Sequence, residues 1–69
     1  MAAFFQLGST YRFNESGREF KPTRVYTVRQ TRTLVMEVLL GMDGGTWVPH
    51  RFTANDTKTA LNPRKTTKL

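Results

Sequence analysis

Thr23–Phe52 reads TRVYTVRQTRTLVMEVLLGMDGGTWVPHRF, and it holds most of the β-branched residues of the chain, together with Tyr26, Trp47 and Phe52. Its centre, Thr33–Leu40 (TLVMEVLL), decides the fold class. As a strand it puts Leu34, Met36, Val38 and Leu40 on one face and Val35, Glu37 and Leu39 on the other. As a helix it lines up Leu34, Val35, Val38, Leu39 and Met42. Length and context favour the strand: the run is short, its neighbours are β-rich, and it ends in Gly41-Met-Asp-Gly-Gly45, a hairpin loop by its chemistry.

Working outward, Thr23–Gln30 reads as the preceding strand, with Gln30-Thr-Arg32 as the turn between. Arg24, Tyr26, Val28 and Gln30 share one face; Val25, Thr27 and Arg29 share the other. That alternation leaves the buried face open, and a bend or bulge near Thr27 is the expected resolution. Thr46-Trp47-Val48 is the next strand, stopped by Pro49. His50-Arg51-Phe52 then fits a tight turn with Phe52 folding back into the core. Toward the N-terminus, Thr10–Phe13 is a compact strand, Asn14–Gly17 a turn, and Arg18–Pro22 an irregular loop pinned by Phe20. Pro22 lacks an amide donor, so the next strand is expected after it. Met1–Leu7 reads as a short edge strand cut off by Gly8-Ser9, acting as a lid on the core or as an interaction segment. Ala54–Leu61 can start a short helix capped by Asn55 or Asp56. Residues 57–69 hold Lys58, Arg64, Lys65 and Lys68, are Thr-rich and contain no acid. They read as a basic, disordered tail behind a β domain spanning 1–56.

The totals narrow the function classes. Sixty-nine residues make one domain near the lower limit for a self-sufficient core. There is no cysteine, which rules out disulfides and thiolate metal sites, and the single histidine, His50, cannot build a multi-histidine centre. Eleven Lys and Arg against five Asp and Glu give a formal charge of +6, which favours acidic partners. No run approaches the roughly 20 apolar residues of a membrane span. MAAFFQLGS lacks the basic start of a signal peptide, so a cytoplasmic setting is the expectation.

The order Gly8-x-x-Tyr11-x-Phe13, a polar loop, two apolar strands, a Gly-rich turn, then Trp47-Val48-Pro49-x-x-Phe52 resembles a small SH3-like antiparallel barrel of about five strands. It is similar to the tiny SH3-like accessory proteins of bacteria and their phages. The likeness spans roughly Gly8 to Phe52. It departs from eukaryotic SH3 domains in lacking their acidic loop and paired tyrosines. Many such barrels bind nucleic acid or protein, and the fold by itself does not choose.

Catalysis needs a positioned base, and His50 stands beside a proline with no carboxylate pair near it in sequence. Gly41–Gly45 lacks the lysine and following helix of a phosphate-binding loop. No enzyme, metal or cofactor is therefore expected. A basic sheet interleaved with aromatics suits DNA or RNA strands, because rings stack on bases while cations follow phosphates. The candidate binding residues are Arg24, Tyr26, Arg29, Arg32, Trp47 and Arg51, with Lys58, Arg64, Lys65 and Lys68 as a tail set. Trp47 and Tyr26 can equally serve the core, and each arginine can be a solvated strand residue. The alternative is a protein-binding regulator or inhibitor docking on an acidic surface. Either is compatible with a homodimer formed through Ala2–Leu7.

Overall fold

The computed structural model of the chain describes residues 4–69. They form five antiparallel strands in one sheet: β1 (Tyr11–Phe13), β2 (Glu19–Val28), β3 (Thr33–Gly41), β4 (Trp47–Arg51) and β5 (Thr66–Lys68). One short helix, α1 (Ala54–Ala60), joins β4 to β5. The strand order is β4-β3-β2-β1-β5. The edge strands β4 and β5 do not pair with each other, so the sheet is open rather than a closed barrel.

Thr33–Gly41 is a strand, and its two faces have different fates. Met36, Val38 and Leu40 are buried and join Tyr11, Phe20, Phe52 and Ala60 in the core. In register, Met36 lies opposite Val25, Val38 opposite Pro22, and Leu40 opposite Phe20. These side chains form the inner face, on which α1 rests through Ala60. The core is largely aromatic. Phe20 stacks on Tyr11 (5.6 Å), tilts against Phe13 (4.7 Å) and meets Phe52 edge-on (5.2 Å). Phe4 and Phe5 continue the series across Tyr11 at 5.4 and 6.2 Å. The Tyr11 hydroxyl secures that segment by donating to the Phe4 carbonyl (2.8 Å) and accepting from the Gln6 amide (2.6 Å).

Four features correct the sequence reading. Phe4–Gly8 is not a strand but an irregular cover on Tyr11; Met1–Ala3 lie outside the described residues. β2 begins at Glu19, not after Pro22, and its register shifts between Pro22 and Arg24 rather than near Thr27. The missing Pro22 amide is tolerated because the irregularity falls there, where β2 passes beyond β1. Gly8 takes over as partner, its amide donating to the Pro22 carbonyl (2.9 Å). Likewise Pro49 does not stop β4, which runs on through His50 to Arg51. The Phe52 amide donates to the Met36 carbonyl, so two-residue alternation turns His50 and Val48 toward β3 and Pro49 toward solvent.

The fourth correction concerns residues 57–69, which are part of the fold and not a separate tail. Thr53, not Asn55 or Asp56, caps α1, its hydroxyl accepting from the Asp56 amide (3.1 Å). β5 then pairs with β1, with Tyr11 opposite Lys68 and Phe13 opposite Thr66. Thr66 is buried and donates to the Thr59 carbonyl at 2.8 Å, tying β5 to α1. Thr57 is the polar hinge of this arrangement. Its hydroxyl donates to the Thr53 carbonyl (2.9 Å) and accepts from the Met36 amide (3.0 Å), completing the β3 edge where β4 has ended. Thr57→Val keeps the shape but orphans a buried amide, and should lower unfolding free energy by about 1–3 kcal/mol in urea titrations. Thr57→Ser should lose much less.

Candidate nucleic-acid interface on the outer face of the sheet

Alternation along each strand assigns the other face. With Tyr11 and Phe20 inward, Arg12 and its partner Glu19 point outward. Lys21, Arg24 and Tyr26 follow on β2, Val35, Glu37, Leu39 and Gly41 on β3, and Trp47, Pro49 and Arg51 on β4. Among the described residues no helix or further strand is placed over this face, and of the outward residues just named only Val35 is buried on it. It carries four cations and two carboxylates, each carboxylate placed opposite an arginine: Glu19 opposite Arg12, and Glu37 between Arg24 and Arg51.

Two cation–aromatic groups stand on it. In the first, the Arg24 guanidinium lies 4.4 Å from the Tyr26 ring centroid and that of Arg51 lies 5.8 Å away. Arg24 and Tyr26 are neighbours because they are two residues apart on one strand. Arg51 reaches them from β4, across Glu37. In the second, the Lys21 ammonium sits 4.3 Å from the centre of the Trp47 ring. β4 and β2 are two strands apart, about 9–10 Å, so this contact requires the indole to lie across β3. Gly41 makes that room: a Cβ there would come within 3.3 Å of the indole and 3.2 Å of the Glu19 carbonyl. Gly41→Ala should therefore tilt Trp47 off the sheet, change its fluorescence, and cost about 1 kcal/mol of stability.

The ten sequence candidates divide. Arg24, Tyr26, Trp47 and Arg51 come together on the outer face. Arg29 and Arg32 lie in the β2–β3 turn, where Arg32 adopts a positive φ of 55°. Lys58 is exposed on α1, and Arg64 and Lys65 occupy the turn before β5. Lys68 is half-buried in β5 and donates from Nζ to Gln6 Oε1 at 2.9 Å. The basic C-terminal set is thus dispersed over α1 and its flanks.

No protein-family model, curated protein or solved structure matches this chain. The interface is defined by the geometry of its own side chains. Lys21 and Arg12 belong to that geometry and were missed as site residues. Reading Arg18–Pro22 as a loop removed the face on which Lys21 counts. With β2 beginning at Glu19, the two-residue period through Phe20 and Pro22 places Lys21 outward. Among the described residues there is no cluster of three or more His, Cys, Asp or Glu side chains able to hold a metal ion, and no helix long and apolar enough to cross a membrane.

Proposed function

We propose that the protein is a non-catalytic nucleic-acid-binding protein that uses the outer face of its sheet. The observation that carries this reading is the pair of guanidinium groups, Arg24 and Arg51, on either side of Glu37 and both against Tyr26. A guanidinium lying on a ring loses rotamer freedom before any ligand arrives, and its edge keeps N–H donors in the fork geometry that suits phosphate. Tyr26 and Trp47 supply the flat surfaces on which unpaired bases stack. Trp47 and Arg51 are four residues apart on β4, about 13 Å at the usual strand rise, so an extended strand of a few nucleotides spans the two groups. Single strands are favoured over duplex because a flat face reaches unpaired bases but not the floor of a duplex groove.

The finer fold assignment belongs to the same reading. An SH3-like barrel opened along the β4–β5 seam fits the strand order, the irregularity that bends β2, and the buried Phe52 after Pro49. The setting that goes with it is intracellular.

The test is binding of a fluorescein-labelled oligothymidylate and its duplex counterpart, followed by anisotropy across a salt series. With three or four phosphates held, affinity should fall about 20–50-fold between about 50 and 200 mM salt. A response flat in salt, or the absence of binding to DNA and RNA in either form, refutes the reading. An acidic protein captured from lysate and retained after nuclease treatment would then support the protein-docking alternative.

A further inference from the structure

A second surface lies off the outer face, where β3 outruns β4. Arg51 pairs with Glu37, Phe52 takes the Met36 carbonyl, and the chain then turns into α1. The last β3 groups filled on that side are those of Met36, whose amide is taken by Thr57. Two-residue alternation makes Leu34 the next residue to present both its N–H and its C=O to the same side. No chain segment among the described residues pairs with β3 there. The Leu34 side chain is 42% exposed. It borders a groove of about 760 Å³ between the start of β3 and α1, which Ala54 and Leu61 also line. The groove carries a charge of one sign: Arg32 at one end and Lys58 on the helix, with no carboxylate in its lining. Asp56, the acid of α1, borders a different depression beside Phe13 and Arg64.

We infer that this edge receives an extended segment of an acidic, aliphatic-rich polypeptide as an added strand. Its backbone bonds the Leu34 N–H and C=O, its aliphatic side chains enter the groove over Leu34 and Leu61, and its carboxylates meet Arg32 and Lys58. Main-chain pairing at a free edge supplies affinity, while the groove and the two cations select side chains. Charge complementarity chooses the occupant: a basic segment of the same shape would bring like charges together, and a nucleic acid has no backbone donor for the Leu34 carbonyl.

The experiment uses the full chain and fluorescein-labelled peptides of about six residues, alternating glutamate with valine or isoleucine. The acidic peptide should bind with a Kd of tens of micromolar, at least about tenfold tighter than the matching lysine peptide. N-methylation of its central amides should abolish binding. The Leu34 amide should exchange freely in the unliganded protein and become protected when the peptide binds. Arg32→Gly together with Lys58→Gln should weaken binding about tenfold or more; glycine suits the positive φ at position 32, so the fold is retained. Failure of the acidic peptide to bind at about 1 mM, equal binding of the basic peptide, displacement by oligothymidylate, or a Leu34 amide already protected in the free protein would each overturn the inference.

Discussion

Phe20→Ala is expected to leave the protein largely unfolded at room temperature. Phe20 has no exposed surface and touches three other rings, Tyr11, Phe13 and Phe52, at centroid distances of 4.7 to 5.6 Å. Those rings come from β1 and the segment after β4, so this one side chain of β2 ties both to its own strand. Truncating a buried phenylalanine costs about 3–5 kcal/mol. A chain of this length without a disulfide has a total stability of about 3–10 kcal/mol. Loss of the near-ultraviolet circular dichroism signal and of a cooperative urea transition would report the outcome. Phe20→Leu should keep a cooperative transition with a smaller loss, about 1–1.5 kcal/mol, since it nearly conserves volume. A Phe20→Ala variant with an unchanged midpoint would show that the aromatic cluster does not hold the sheet together.

Removing the two outward arginines should have the largest effect on binding. Arg24→Gln/Arg51→Gln keeps a polar, uncharged side chain at each position and leaves both strands paired, but takes away two phosphate contacts beside Tyr26. Affinity for oligothymidylate at low salt should fall about 10–100-fold, and the salt slope should become shallower by about 1.4. Tyr26→Ala should cost about 1–3 kcal/mol of binding with the slope unchanged, because stacking releases no counterions. Glutamine is preferable to glutamate here. Reversed charges would place two further carboxylates beside Glu37 and unsettle the sheet itself. Equal losses from Lys58→Gln and from Arg24→Gln would mean that net charge, not the outer face, governs binding.

The sequence carried the central strand and its neighbours well, because Thr33–Leu40 is too short and too flanked by β-formers to be a helix. Phe20 and Phe52 were legible as core because each is a large ring among polar neighbours. Three things were hidden by tertiary context. The inner face of β2 switches parity at Thr23, so no single alternation from Arg18 to Gln30 describes it. Pro22 and Pro49 look like terminators, yet one falls at the register shift and the other on an outward edge, the two places where a strand tolerates a missing amide. β5 is a polar triplet, Thr-Thr-Lys, with no hydrophobic period. It is a strand only because β1 offers a partner and Thr66 finds the Thr59 carbonyl.

The same effects decided the site. Arg24, Tyr26, Trp47 and Arg51 could be nominated from charge and aromatic content, since they flank the most β-rich stretch. Lys21 could not, because its face depended on a strand that the proline concealed. The contact between Trp47 and Lys21 depends further on Gly41, whose missing side chain is noticed only when three strands lie in register. The C-terminal basic residues were grouped by sequence proximity alone. Helix α1 and strand β5 carry them to other parts of the surface.

The most direct test of the outer face as the binding surface is an amide chemical-shift titration of the labelled protein with oligothymidylate. Shifts should concentrate on Lys21, Arg24, Tyr26, Glu37, Trp47 and Arg51, and the indole N–H of Trp47 should move with them. Shifts confined to α1 and the turn before β5, with the outer face unmoved, would contradict the account.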